Sequence, residues 1–440
     1  MTLAIASDPA HAGGLVAGGS PRSIGRAGVG TVGDDGGGAL VVNPAAMARR
    51  DGLRGQLGVA LVDDEIAWEL EDGPTARNQS PSSVVPLGAA IGSIGGWVIG
   101  VGAMTAAVSE RSLIRLPGDF PPEGLGNRFE FRYAGIAGAF RRDAIAAGVA
   151  RRIGDAVAVG LSVSGARVRV SETRRMWAGF AGRDTIGSPE QDIEISMSGR
   201  DAFAPAVVAG VLIAPDGSPL ELGASAGWSQ RVMVDASVAG LGAPRGPVVQ
   251  RTRPSATLSL RQPWALRAGA RYLSDRVVLE LDGDLWAISR AAEAPAWQLY
   301  DVSVVDTSGL EMPLTEVPSR ISQRTHGAFR AAVDFEIFSG FLWATAGYAY
   351  SIGRVAGARQ SPTFGDLGGH TVALGLEAST GGFTVTAGWS RTCAVTIRPA
   401  SKLSLDNPFQ AGDSALPPGA YDGSIDQLGI MIDAELDAPK

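Results

Sequence analysis

The sequence predicts an all-β chain, a transmembrane antiparallel β-barrel of about fourteen strands with an N-terminal hatch (plug) inside its lumen. Three observations point there. Apolar residues make up 45% of the 440 residues, yet none of the apolar runs is long enough for a membrane-crossing helix, which needs about 20 residues. Segment after segment alternates apolar with polar side chains, the period of a strand with one apolar face. Short turns also join the candidate strands on one side and long Pro-rich loops on the other, an asymmetry of membrane barrels.

The start of the chain is different in character. Residues 1–12 end in Ala10-His-Ala12, which resembles an A-x-A cleavage site, and are expected to be the remnant of a truncated signal peptide. Residues 13–50 are expected to form the hatch and 51–440 the barrel. The stretch Ser23 to Ala48 is glycine-rich, nearly free of large side chains, and ends in Asn43-Pro44-Ala45. It contains Gly28-Val-Gly30-Thr-Val-Gly33, which fits the dinucleotide fingerprint G-x-G-x-x-G. That fingerprint needs a strand before it and a helix after it. Here Pro21 precedes it, Asp34 and Asp35 would repel a pyrophosphate, and Gly36-Gly-Gly38 disfavours a helix by about 1 kcal/mol per glycine. A compact non-strand segment ahead of many strands reads instead as a plug.

The strand candidates, taken in order, are 53–70, 84–94, 96–109, 128–142, 144–153 merging with 156–171, 190–213, 220–238, 248–262, 264–273, 276–288, 326–338, 341–351, 370–379, 382–397 and 424–436. Gly95-Gly96 marks the first hairpin. Alternation is clean at Phe129, Phe131 and Tyr133 against Glu130 and Arg132, and at Val168 and Val170 against Arg167 and Arg169. Leu279, Leu281 and Leu285 oppose Glu280, Asp282 and Asp284, and Phe383, Val385 and Trp389 oppose Thr384, Thr386 and Ser390. Ser274-Asp275, Ser339-Gly340 and Thr380-Gly-Gly382 supply short turns, while 109–127, 289–324 and 398–423 supply long loops. Alternation by itself also fits a soluble β-sandwich, in which the apolar face turns inward.

The hatch stretch resembles the N-terminal hatch of the outer-membrane long-chain fatty-acid and hydrocarbon transporter family (FadL/TodX type). The matching residues are Gly25, Arg26, Ala27 and Gly28, then Asp34 and Asp35, then Asn43, Pro44 and Ala45. Arg253 to Tyr272 followed by Val277 to Ser289 is similar to the family's mid-barrel strands, and His370 to Leu376 with Phe383 to Trp389 to its late strands. The resemblance implies a fourteen-stranded barrel in the outer membrane. It implies uptake of a hydrophobic small molecule by binding in the barrel, movement of the hatch and lateral release. Gly25, Arg26, Gly28, Asn43, Pro44 and Ala45 are then hatch elements. An arginine on a lumen face, such as Arg132, Arg167 or Arg169, could pair the carboxylate of a fatty acid.

Other function classes find little support. Net charge is -7, and no basic cluster suggests nucleic acid. One cysteine, Cys393, and three scattered histidines, His11, His326 and His370, give no expectation of a metal or cofactor. The carboxylate groups Asp63-Asp64-Glu65 and Asp282/Asp284 read as loop or lumen charges, not as a catalytic pair, so no enzyme is expected. The expected partners are a hydrophobic ligand and outer-membrane lipid, with the chain a monomer. Alternatives are a structural or adhesive barrel without transport and a secreted sandwich that binds a partner.

Overall fold

The computed structural model of the protein describes residues 20–70, 75–113, 132–133, 135–179, 189–289, 295–321, 323–353, 355, 361–398, 403–405, 409, 414–416 and 419–436. The expected signal remnant (1–12) and the Phe129–Phe131 alternation lie outside these residues.

Fourteen antiparallel strands close into one barrel. In chain order the strands are β1 (Leu53–Asp64), β2 (Ser83–Ile94), β3 (Trp97–Ser112), β4 (Ala137–Ile153), β5 (Val157–Trp177) and β6 (Asp192–Ile213). Then come β7 (Leu220–Ser229), β8 (Val232–Gly242), β9 (Val248–Leu260), β10 (Trp264–Leu273), β11 (Val277–Ala287) and β12 (Ala296–Val305). The last are β13 (His326–Phe338), β14 (Leu342–Ile352), β15 (Gly368–Thr380), β16 (Phe383–Ala394) and β17 (Ser424–Glu435). The ring runs β1 to β7, then β10, β11 and β13 to β17, and β17 pairs back onto β1 from Arg54 opposite Glu435 to Asp64 opposite Ile425. Closure leaves no open sheet edge in the ring, as a membrane-crossing sheet requires.

The remaining strands extend the wall upward on one side. β8 continues β7 along β6: Ile213 opposes Leu222, Arg200 opposes Asp235, and one register serves both. β9 continues β10 in the same way, and β12 pairs with β9 above β11. Among the described residues the breaks between tiers fall at 230–231 and 261–263, on neighbouring strands, and β11 ends beside them at Ala287. Pro263 cannot donate to a ladder, and Gln230 bonds back to the Pro205 carbonyl, so the pairing is interrupted locally while the register is kept. At a matching height β3 carries one extra residue, Ala106, between Thr105 opposite Asp143 and Ala107 opposite Arg142.

Several boundaries differ from the sequence expectation. The 53–70 candidate stops at Asp64, and Ala67–Leu70 joins a separate three-stranded sheet over the barrel mouth with Thr75–Arg77 and Gly419–Asp422. Residues 144–153 and 156–171 are two strands, because Gly154, with φ of 60°, turns the chain between them. The 220–238 candidate is β7 plus most of β8, and β12 lies inside what reads as a loop at 289–324. Arg132 and Tyr133 sit in a tight helical turn ahead of β4, not in a strand.

The apolar faces point outward. Leu57, Ile145, Leu161, Val163, Leu281, Leu374, Leu376, Leu428 and Ile430 are exposed large hydrophobics. Their sequence neighbours, such as Gln56, Ala60, Ser162, Glu280 and Asp282, are buried within. That inverts the pattern of a sandwich and defines a lipid-facing belt. On β4 the belt runs from Ile153 to Ile145, a length of roughly 20–25 Å at about 3.3 Å per residue and a tilt near 40°. Short turns at 95–96, 154–156, 274–276, 339–341 and 381–382 all lie at one end with the start of β1 and the end of β17. That is the periplasmic end of such barrels.

A charge placed mid-belt should therefore be costly. Leu374→Arg is expected to lower unfolding free energy by about 2–4 kcal/mol, read as a lower urea midpoint in lipid vesicles, whereas His370→Arg, on the same outward face near the upper rim, should cost far less.

Candidate functional site

Residues 20–50 occupy the lower half of the lumen. They contain one helical turn, Pro21–Ile24, and two short 3-10 turns, Gly37–Leu40 and Pro44–Arg49. Ser20 caps the first turn and Asn43 the last, and a proline follows each cap at the first helical position, where its missing N–H costs nothing. Ile24, Val29, Val32, Ala39, Leu40, Ala45, Ala46 and Met47 are all buried.

The wall holds this segment mainly through carboxylates of β11 and β13. The backbone N–H groups of Gly30 and Thr31 donate to Asp282 Oδ2 at 2.8 and 2.9 Å. Those of Val32 and Gly33 donate to Glu280 Oε1, both at 2.9 Å. Arg26 is buried and forks between Glu280, at 2.6 Å, and Asp334. The fingerprint-like loop Gly28–Gly33 is thus an anion nest after all, and its anions are the barrel's own side chains. Gly28 takes a φ of 87°, which turns these donors toward β11.

The Asn43-Pro44-Ala45 corner is fixed on β5 and β6, three to four strands round the ring from β11. Asn43 donates to the carbonyls of Thr31 (2.8 Å) and Val211 (3.2 Å), and its Oδ1 accepts from Ala45 N–H at 3.2 Å. The wall is stripped of side chains here. A Cβ on Gly210 would fall 1.9 Å from Asn43 Oδ1, and one on Gly160 would fall 2.3 Å from Ala45 N. Gly25 makes a similar backbone approach to Gly375. Further ties are Arg49 to Glu221 (2.6 and 3.0 Å), Arg22 to Glu377 (2.9 Å), Gly37 N–H to Gln56 (2.6 Å), and the Ser162 and Ser225 hydroxyls to the Leu40 and Val42 carbonyls (2.6 Å each). Of these wall residues Glu280, Asp282, Asp334 and Glu377 show in the sequence, each on the polar face of an alternating strand. The binding serines, Gln56 and Glu221 carry no signal before the fold is known.

Above the hatch the inner wall turns apolar. Phe140, Val168, Val170, Ile193, Ile195, Val234, Leu258, Trp297 and Val304 form one buried cluster, covered by loop residues Leu314, Val317 and Phe364. The three candidate arginines separate. Arg132 is buried at this level, bound to Asp192 at 2.7 Å and lying 4.3 Å from the Tyr133 ring. Arg167 and Arg169 belong to the outward face of β5, with Val159, Leu161 and Val163, and are exposed. They do not face the lumen, because a strand carries only alternate residues inward and Val168 and Val170 hold those positions.

A cavity of about 350 Å³ lies between hatch and barrel at the periplasmic end, lined by charged groups that include Arg22, Asp34, Asp35, Arg50, Glu377 and Asp433. The wall itself parts between β2 and β3. Their pairing ends at Leu87 opposite Met104, while β1 follows β2 on to Ser83 and β4 follows β3 on to Ser112. Arg141 spans the parting, donating to the Val84 carbonyl (3.2 Å) and to Thr105 Oγ1 (2.9 Å).

The class these features define is a plugged, fourteen-stranded transmembrane β-barrel. Solved structures of similar fold include a Pseudomonas aeruginosa FadL homologue (16% identity, TM-score 0.73, 97% of this chain and 100% of that one). They also include the Pseudomonas putida toluene transporter TodX (14%, 0.67, 97% and 100%) and the Ralstonia pickettii toluene transporter TbuX (13%, 0.64, 96% and 99%). The chain therefore has the FadL/TodX-type fold along almost its whole length. No protein-family model matches the sequence, and no curated protein sequence matches it.

Hatch docking should respond to pH through Asp34. Burial pushes its carboxyl up to about 6, with Asp35 adding to the shift, against Arg22, the Gly36 N–H and the Ser20 hydroxyl. Burial also opposes ionisation of Asp35, but Arg50 and Arg54 outweigh it and hold that carboxyl below its ordinary value. A raised carboxyl stabilises the docked state most below its unfolded value near 3.8, and that contribution is lost as pH rises through about 6. The urea midpoint of Asp34→Asn relative to wild type should therefore climb between pH 4 and 7. Removing the grip itself, Glu280→Ala leaves Arg26 short of a partner, at a cost of about 3–5 kcal/mol. Its hatch should become open to trypsin after Arg26 and Arg49 while the barrel stays intact.

Proposed function

We propose that the protein takes up hydrophobic small molecules, long-chain fatty acids or aromatic hydrocarbons, across the outer membrane. In this reading it works as a monomer, since one chain completes the ring. The observation that carries the reading is the vertical order inside the barrel: an apolar inner wall above, a hatch below, and a parting of the wall at the height between them.

A hydrophobic ligand gains by leaving water for the apolar inner wall, at about 25 cal/mol per Å² buried. Access requires displacement of the loop residues Leu314, Val317 and Phe364. Below, the passage past the hatch is lined by ionised groups whose desolvation an apolar ligand cannot repay. The parting between β2 and β3 offers a route without that cost, through Val85, Met104 and Val108 into lipid. The hatch residues Gly25, Arg26, Gly28, Asn43, Pro44 and Ala45 then serve docking rather than ligand contact. Arg132 already has Asp192, so a ligand carboxylate would have to compete for it. The solved structures described as toluene transporters and as a FadL homologue support this reading by fold.

Two variants test it. Deleting residues 20–48, or Asn43→Ala, is expected to abolish uptake of a labelled long-chain fatty acid or toluene by cells lacking other routes. Deleting Ala106 removes the extra residue on β3 and lets the β2–β3 ladder continue past Met104. It should abolish uptake while leaving the barrel folded on an unboiled gel. Uptake equal with and without the protein would rule out transport, and normal uptake in the Ala106 deletion would rule out lateral release.

A further inference from the structure

Directly paired residues of antiparallel strands project from the same face of the sheet. The register pairs Arg141 of β4 with Arg169 of β5, and Arg169 with Arg200 of β6. Three arginines thus stand side by side on three adjacent strands, with a strand spacing of about 4.8 Å. Arg167 lies two residues from Arg169 on the same face, opposite Asp143. The row faces outward, because β5 carries Val159, Leu161 and Val163 on that face and β4 carries Ile145 and Val149.

Like charges directly opposite one another destabilise a sheet, and the nearby acids do not balance this row. Asp143 is shared by Arg141 (2.9 Å) and Arg169 (2.8 Å). The Asp201 carboxylate is taken by the backbone N–H groups of Phe203 (2.9 Å) and Met233 (2.8 Å). Asp235 faces Arg200 across the ladder without an ion pair between them. Among the described residues Arg167 and Arg200 have no acidic partner within salt-bridge distance. Such a row is stable when an external anion lies across it. Planar guanidinium groups suit phosphate oxygens, which they bind in pairs.

Height identifies the anion. The row sits directly above the lipid belt, at the end opposite the short turns, and so at the outer-leaflet boundary. Immediately beneath it, Ile145, Val163 and Phe203 are all strongly exposed and apolar. We propose that Arg141, Arg169 and Arg200, with Arg167, bind the phosphates of an outer-leaflet glycolipid of the lipid A type, its acyl chains lying on Ile145, Val163 and Phe203. The site rests on the outer-membrane placement given above and not on transport. Because Arg141 also bonds the Val84 carbonyl, the lipid would sit at the edge of the β2–β3 parting.

The test uses the full chain in nanodiscs of neutral phosphatidylcholine, titrated with diphosphoryl lipid A, dephosphorylated lipid A or phosphatidylglycerol. Wild type is expected to bind diphosphoryl lipid A about tenfold or more tightly than the dephosphorylated form. Arg169→Gln combined with Arg200→Gln should erase that preference. Arg151→Gln, an outward arginine at the periplasmic end that lies over Trp97, should keep it. Equal binding of the two lipid A forms, phosphatidylglycerol binding as tightly as diphosphoryl lipid A, or an unaffected double variant would each overturn the site. A heat-dependent gel shift of every variant reports barrel folding and insertion separately, so failure of the barrel placement is distinguished from failure of lipid recognition.

Discussion

Four backbone N–H groups and one guanidinium, all from the hatch, converge on Glu280, Asp282 and Asp334 of the wall. Much of the interior follows from this contact. Carboxylates buried in a barrel lumen need partners, since an unpaired buried charge is very costly. A loop with few side chains can supply several N–H donors to one anion, where bulkier residues would block the approach. The glycine content of the hatch, the acids on alternate positions of β11, and the bare wall at Gly160 and Gly210 are therefore parts of one solution. The hatch is held by directional bonds and close backbone approach more than by large apolar side chains, and such a contact can be broken locally without unfolding the wall.

The fold was legible because strand periodicity survives any tertiary context. Leu279, Leu281 and Leu285 against Glu280, Asp282 and Asp284 fix β11 to within a residue, and closure of the ring then fixes which face meets lipid. What escaped were places where the period breaks. Arg132 and Tyr133 continue an alternating pattern but lie in a turn, because Arg132 is bound to Asp192 at the end of a different strand. β12 was hidden in a Pro-containing stretch since it pairs only with β9 and two short loop segments. Glycines at 154 and 217 look alike in sequence, and only the fold shows that both turn a strand.

The candidate site was legible in part for a related reason. Gly28 to Gly33 has the composition of an anion nest, and the sequence excludes a nucleotide from it by context. It does not reveal that the anions are Glu280 and Asp282, some 250 positions away, because long-range pairing has no local signature. Arg167 and Arg169 show the converse. Their alternation with Val168 and Val170 is correct, but alternation cannot say which face is inside. The structure answers by placing Val168 and Val170 in the buried upper cluster, and the arginines go to the outer rim.

One geometric coincidence links these features. The extra residue at Ala106, the parting of β2 from β3, the breaks at 230–231 and 261–263, and the row of outward arginines all fall near one height on the barrel. Below it the wall is an unbroken ladder with a lipid-facing belt and a hatch bound inside. Above it β3 and β6 change which residues face inward while β4 and β5 keep theirs, and the inner surface becomes apolar. A bulge is the means by which a strand changes face without losing its neighbours, so a line of irregularities lets one wall be polar inside where it holds the hatch and apolar inside above it. On β6 the change of face sets Arg200 outside, while on β4 and β5 Arg141, Arg167 and Arg169 continue the outward face of the belt to the level where the membrane ends. The apolar inner wall above, the docked hatch below and the parting between them are thus consequences of where the ladder is interrupted.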